Sequence, residues 1–504
     1  MGQSTTPDQT ASTPEIQAGA KPPLAPPSRR IQRAPETTVR KLAEFFVLGS
    51  IALLLIRTFL AEGYVIPSGS MAPTLIGIHR DIHCTRCKTV FSHGLEGEIS
   101  DLGKPVCPNC GNPELDDELL AKSDGDRVLV QKHFYCFRAP RRWEVAVFSP
   151  RTGLGQPFIK RVVGLPGEEV RIRSGDLYIN GKLARKELQD QQAMRVLVYD
   201  HDHLARDHAF NPRWVTHPVQ GPEQVSSAWQ PVPGGFMSRS GVRAGGEIDW
   251  LSYRHWQPDR ECTGPVRDFL AYNGAGLGGD YRVDDLMLEC DVALNQRDQS
   301  LHFAFGKAQD RLEVSLSSGL DSMPEVRMNG AVVPVRPGSG KLTVSPSDSP
   351  IFSNVVASYF DHRLWIVIDG RLAFDPIDFE AEDSGPPAST PLLAVGAGGS
   401  GSTTLKHLRV YRDIYYTPQL SGAYQAGFGV AEPYRLGPDE FFLLGDNSEI
   451  SLDSRFWPTG PVVRRGEFIG KPIVVHFPGR MMPLFWRGGA PFWVPDFREI
   501  RYIR

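Results

Sequence analysis

The chain has 504 residues, enough for about three domains and more than one core. Apolar residues make up 41% and charged residues 22%, which excludes a wholly disordered or collagen-like chain, and a net charge of −3 lacks the basic bulk of a general nucleic-acid binder. A mean hydropathy of −0.26 excludes a polytopic membrane protein but not a single span. The 50 Gly and 42 Pro favour loop-rich β structure over a helical bundle.

Residues 1–42 are rich in Pro, Ser, Thr, Ala and Gln and carry no apolar period, so they read as a disordered tail. Its basic residues, Arg29, Arg30, Arg33, Arg40 and Lys41, cluster at its end. Phe45–Ile56 follows without a charge, and the apolar run resumes after Arg57 as far as Ala61. With Arg57 snorkelling, these seventeen residues reach the low end of a membrane span. The expectation is a transmembrane helix over 43–62, with the N-terminus inside and the rest of the chain outside.

Directly after it comes Ile66-Pro-Ser-Gly-Ser-Met-Ala-Pro-Thr-Leu75, in which two serines flank a glycine between two prolines. The glycine permits a tight turn and the prolines fix its entry and exit. Taken alone, the segment serves equally well as a linker or as a nucleophile-bearing turn.

Two short cysteine pairs follow, Cys84-Thr-Arg-Cys87 and Cys107-Pro-Asn-Cys110. Two C-x2-C knuckles at this separation fit a zinc ribbon over about 82–112, with the metal supplying folding energy to a unit too small for its own core. Two disulfides are the alternative, because the domain is expected on the oxidising side of the membrane. Four cysteines would close the coordination shell, so the zinc would be structural and catalysis would need no cofactor.

The next charged signal is Lys160, in Phe158-Ile-Lys-Arg-Val-Val-Gly-Leu-Pro-Gly167, read as lying at the end of an apolar strand. A serine needs a base to take its proton, and a lysine serves only when neutral. Its ordinary value near 10.4 must then fall, and burial among residues such as Ile159, Val162 and Val163 can lower it by about 3 units. Residues 170–182 continue as alternating strands around turns at Ser-Gly-Asp and Asn-Gly.

From 189 to 425 the pattern changes. Short strands recur at Leu286–Leu294, Leu301–Phe305, Leu312–Leu316, Val326–Met328, Val355–Phe360, Leu364–Ile368, Leu392–Val395 and Leu405–Tyr411. Turns such as Met-Asn-Gly-Ala and Ile-Asp-Gly-Arg separate them, which predicts an inserted β-sandwich of jelly-roll type. LWIVIDGRLAFD and LKHLRVYRDIYY resemble the concanavalin-like lectin and glucanase sandwiches. A carbohydrate or protein ligand is the partner this resemblance implies. No pair of carboxylates has a defensible glycosidase spacing. An insertion between strands of one core is expected to be removable.

The chain then reaches Gly445-Asp-Asn-Ser-Glu-Ile-Ser-Leu-Asp-Ser-Arg455. With SGSMAPTL, GDRVLV at Gly125–Val130 and IKRVVGLPGE at Ile159–Glu168, all in the same order, the chain closely resembles the bacterial type I signal peptidases. The resemblance covers residues 40–83, 124–188 and 433–478. It implies an antiparallel β catalytic core in two parts, 63–188 and 426–504. Ser70 would be the nucleophile, Lys160 the general base and Ser68 an oxyanion hydroxyl beside the Ser70 N–H. Ser451 would orient Lys160, Asp453 and Arg455 would form a supporting ion pair, and Asp446 would lie close behind. Ile66, Met71, Leu75 and Ile159 would wall the substrate pocket. The chain departs from the family's GDNRDNS at Ser448, Glu449 and Ile450, and Pro458 follows Trp457 where glycine is usual.

The implied activity is removal of signal peptides from secretory preproteins by an enzyme of the inner membrane, with lipid as its second partner and no nucleic acid. Two other readings compete. One is a non-catalytic or specialised envelope maturation factor. The other is a self-cleaving Ser/Lys protease of the LexA-repressor kind, disfavoured because no helix-turn-helix precedes the serine.

Overall fold

The computed structural model describes residues 38–504 apart from 56–60, 96–103, 114, 117–121, 150–155, 206–211, 217–228, 240–247, 275–278, 308–309, 320–322, 346–349, 381–392, 421–423, 426 and 485–491. It comprises two units, one ending at Leu55 and one running from Ile56 to Arg504. The tail expected over 1–42 falls outside the described residues as far as 37.

In the first unit a single helix spans Thr38–Leu55. Among the described residues no helix is long and apolar enough to cross a membrane, and the last part of the expected span over 43–62 lies outside them. Arg40, Lys41 and Glu44 occupy the opening turns of this helix, and Arg40 pairs with Glu44 one turn on. That leaves Phe45–Leu55, about 16 Å at 1.5 Å per residue, roughly half a hydrocarbon core. Residues 56–60, which the expected span needed, lie outside the described residues.

The second unit is almost entirely β structure, as composition suggested. An eight-stranded antiparallel sheet runs in the order 61–65, 127–132, 468–477, 145–148, 158–164, 440–444 and 463–464, with 501–502 paired to 468–477. Its neighbours come from both ends of the sequence, so the segments before and after the long insertion close one sheet. A four-stranded sheet, 182–183, 176–179, 169–173 and 434–435, adjoins it in the chain. Strand Phe158–Gly164 is buried on both faces beyond its first two residues, because strand alternation sends Lys160 and Arg161 to opposite sides and both sides are covered.

The cysteine segment folds as a three-stranded sheet, 90–94, 79–84 and 115–116. The insertion contributes a nine-stranded sheet and a seven-stranded sheet. Buried side chains of both, among them Leu288, Phe303, Val314, Ile366, Val395 and Val410, join one apolar cluster. The Asn-Gly and Asp-Gly turns read from the sequence are there: Asn329 and Gly330, and Asp369 and Gly370, all take positive φ. That is the left-handed pair a two-residue hairpin of right-twisted strands requires.

The insertion does not hang free. Met194 and Val196 at its start and Tyr416 near its end pack with Val163, Val170, Phe442 and Leu444 of the catalytic sheets. Lys186, just before it, bridges Asp361 at 2.7 Å and Asp413 at 2.8 Å, both within it.

Candidate active site

The serine-bearing turn follows the edge strand Ala61–Val65. Ser68 caps a 3-10 turn over Gly69–Met71, in which Gly69, Ser70 and Met71 are buried. Ile66, Met71 and Leu75 drop into a core cluster with Val128, Val130, Val145 and Val147. This apolar anchorage holds the turn against strand Phe158–Gly164.

The result is a close pair. Ser70 Oγ and Lys160 Nζ lie 2.5 Å apart across 90 residues of sequence. Ser70 is 8% exposed and Lys160 3%. A charged ammonium is costly at such a position, which is the condition a lysine base requires. The Ser68 hydroxyl, exposed, lies 3.4 Å from Ser70 Oγ.

Behind the pair stand two buried ion pairs. Arg455 donates from Nε to Asp453 Oδ1 at 2.9 Å and from Nη2 to Oδ2 at 2.8 Å, and both side chains are inaccessible. Asp453 Oδ2 also accepts the Gly445 N–H at 2.9 Å. Arg455 further donates to the Ser448 hydroxyl and carbonyl, at 2.7 and 2.8 Å. Ser448, one of the departures from the family motif, is thereby tied to the arginine.

The second pair joins the lysine strand to the third motif. Arg161 donates from Nε to Asp446 Oδ1 at 2.7 Å and from Nη2 to Oδ2 at 2.5 Å, and Thr74 adds a bond to Oδ2 at 2.5 Å. Burial alone would press the Arg161 guanidinium down, but the Asp446 charge outweighs it and holds it above its ordinary value. One carboxylate thus ties the serine loop, the lysine strand and the GDN turn together.

Two expectations meet a different arrangement. Ser451 is buried beside Gly445, but its hydroxyl makes no hydrogen bond, to Lys160 or to any other described residue. Ile66, Met71 and Leu75 are fully packed, so they underlie the turn rather than line an open pocket, and only Ile159 keeps partial exposure.

Sequence reading missed four participants. Arg161, Thr74 and Asn447 all sit within the recognised motifs but were given no role. Asn447 accepts no role from its motif alone, yet its Nδ2 donates to Gly69 O at 3.0 Å and its N–H to Ser70 O at 3.1 Å. The fourth, Asn273, belongs to the insertion, where no pattern marked it. A charged residue beside Lys160 in a buried strand was the one available signal, since a buried arginine demands a carboxylate.

Away from the dyad, the four paired cysteines converge. Their sulfur atoms lie within 4.8 Å of one another and all four residues are buried. Cys84 and Cys110 are 3.6 Å apart and Cys87 and Cys107 3.5 Å. None is joined in a disulfide.

A buried serine hydroxyl thus meets a buried lysine amine, with the Ser68 hydroxyl beside it. The comparisons with known proteins agree. Residues 120–230 match the family described as signal peptidase, peptidase S26. A probable signal peptidase I-2 of Synechocystis sp. is 31% identical over 161 residues, 31% of this chain and 52% of that protein. A signal peptidase I of Leptolyngbya laminosa is 31% identical over 169 residues, 32% and 60% of the two chains. The signal peptidase I of Pseudomonas aeruginosa is 30% identical over 141 residues, 28% and 37%. The chain spans little more than half the length of the first two relatives. Over these stretches the chain is similar to the bacterial type I signal peptidases, the family its four motifs resemble.

Among solved structures, a Bacillus subtilis protein of unknown function with a galectin-like fold is 9% identical, with 43% of this chain and 96% of that one covered and a TM-score of 0.28. The carbohydrate-binding module CBM66 of Bacillus subtilis is 12% identical, with 39% and 92% covered and a TM-score of 0.22.

Proposed function

We propose that this chain is a serine endopeptidase that removes N-terminal signal peptides from exported preproteins. The observation that carries the reading is the buried contact of 2.5 Å between Ser70 Oγ and Lys160 Nζ. Neutral Lys160 takes the Ser70 proton as Oγ attacks the scissile carbonyl. The oxyanion develops toward the Ser70 N–H and the Ser68 hydroxyl. The Lys160 ammonium then returns its proton to the departing amine, and a water activated by the same amine releases the acyl group. Asp446, Asp453 and Arg455 hold the surrounding loops and touch no reacting atom.

The substrate's side chains next to the cut would pack against Ile159, which keeps partial exposure beside the pair. The exposed apolar side chains of the Thr38–Leu55 helix, Phe45, Phe46, Leu48, Ile51 and Leu54, suit a lipid surface and support a site of action at the inner membrane. We read 189–425 as an inserted β-sandwich and 82–112 as a ribbon that holds one structural zinc. Sulfur atoms 3.5–3.6 Å apart suit the edge of a tetrahedron with bonds of about 2.3 Å, and a disulfide would need about 2.05 Å.

The test is incubation of the purified chain with a synthetic preprotein. Cleavage at the signal-peptide junction by the wild type, and none by Ser70→Ala, is expected. A wild-type chain that cleaves no preprotein, or a Ser70→Ala chain that still cleaves, would overturn the reading.

A further inference from the structure

We propose that Asn273, in the insertion, is a positioning residue for the Ser70 N–H that receives the oxyanion; the inference rests on Ser70 being the nucleophile. The 3-10 turn Ala271–Asn273 of the insertion lies against the serine-bearing segment. Tyr272 Oη donates to Ile78 O at 3.0 Å. A cavity of about 200 Å³ at this junction is lined by Ala72, Pro73 and Ile76 from one side and Leu270, Ala271 and Tyr272 from the other.

The turn ends in a reciprocal amide pair. Asn273 Nδ2 donates to Asn447 Oδ1 at 2.9 Å, and Asn447 Nδ2 donates to Asn273 Oδ1 at 2.7 Å. The second Asn273 donor goes to Glu449 Oε2 at 3.3 Å. Both asparagines are buried. Asn447 is thereby held in one amide orientation, and its other Nδ2 hydrogen reaches Gly69 O at 3.0 Å.

Gly69 C=O and Ser70 N–H belong to one planar peptide unit. Fixing the carbonyl fixes the direction of the N–H. The Asn447 N–H to Ser70 O bond pins the next peptide in the same way. Asn273 therefore acts through Asn447 on a donor used only when negative charge develops, so its loss should fall on the chemical step and not on substrate binding. Removing an oxyanion donor outright typically costs 10²–10³-fold in kcat. Loosening one should cost roughly 10-fold or more.

The experiment measures kcat and KM on a synthetic preprotein for wild type, Asn273→Ala, Asn447→Ala and the double variant, each checked for a cooperative melt. The expected result is a kcat lowered at least about 10-fold by Asn273→Ala with KM within about threefold. The double variant should be little worse than Asn447→Ala alone, because both act through one linkage. Should Asn273→Ala fail to fold, the near-isosteric Asn273→Asp decides, since it replaces the Nδ2 donor with an oxygen. A folded Asn273 variant within twofold of wild type in kcat overturns the inference, as do multiplicative effects of the two single variants. A wild type that cleaves nothing overturns the proposed function and this inference together. A wild type that cleaves, with Ser70→Ala inactive and the Asn273 variants normal, overturns this inference alone.

Discussion

Glu449 replaces a residue of the family motif and sits, half-buried, at the junction of the insertion with the third motif. Its carboxyl is pushed up to about 7 from an ordinary 4.5, chiefly by burial and then by the Asp268 charge; the Asn273 hydrogen bond opposes this, Asp280 adds to it and Arg412 opposes it. The difference of 2.5 pH decades, at about 1.36 kcal/mol each, makes ionisation of Glu449 in the folded protein cost about 3 kcal/mol relative to the unfolded chain. The sign follows from which state binds the proton more tightly. Here it is the folded one, so the contribution is present below about 4.5 and is lost as pH rises through about 7. Glu449→Gln mimics the protonated form and keeps an acceptor for Asn273. At pH 5 the variant should exceed the wild type by less than about 1 kcal/mol. By pH 8 it should exceed it by about 3 kcal/mol, read as urea midpoints followed by tryptophan fluorescence at pH 5, 6, 7 and 8. A gap between the two proteins that stays constant with pH, or a wild type that gains on the variant as pH rises, would refute the reasoning.

Ser70→Ala and Lys160→Ala should each lower preprotein cleavage by on the order of 10⁴-fold with an unchanged melt, and residual activity above about 1% would count against the dyad. Asp446→Asn strands the buried Arg161 guanidinium and should cost about 3–5 kcal/mol in urea denaturation; a loss below about 1 kcal/mol would show that the pair does not carry the junction. Metal analysis of the purified chain should give about one zinc per molecule, and Cys84→Ser should remove it while destabilising the ribbon more than the dyad; no zinc, together with masses that indicate two disulfides, would refute the metal reading. Replacing 190–425 by a Gly/Ser linker should lower kcat at least as far as Asn273→Ala does, contrary to what the sequence suggests for a removable insertion.

The strands of the insertion were legible because each is bounded by turn residues with a single conformational use. The predicted Leu286–Leu294 matches the observed strand end for end, and Val355–Phe360 and Leu364–Ile368 fall short by only one or two residues at their N-terminal ends. The contact of Ser70 with Lys160 was legible because the motifs that carry them keep their order. What escaped reading came from long-range partnership. Asp446 could be placed near the site, but its partner Arg161 needed the knowledge that two adjacent residues of one strand are both buried. Ser451 and the supposed pocket walls were carried over by resemblance; in this chain the Ser451 hydroxyl lies beside Gly445 without a hydrogen bond among the described residues, and Ile66, Met71 and Leu75 are packed beneath the serine turn. The described part of the helix, Thr38–Leu55, carries Arg40, Lys41 and Glu44 in its opening turns ahead of the apolar run that the sequence reading relied on. Asn273 had no pattern at all, since a single amide in an irregular segment acquires meaning only from what lies opposite.

The carbonyl of Gly69 is held by a side chain 378 residues later. During synthesis, the turn that bears the serine and the amide that orients it are therefore separated by nearly the whole chain. At about 5–20 residues per second that gap lasts about 20–75 s. Any folding intermediate assembled in that interval has a serine turn without its brace. On the proposed function, the chain is thus born with its serine turn unset, and a ribosome-stalled chain released short of Gly445 should leave a preprotein intact even after its lysine strand has paired.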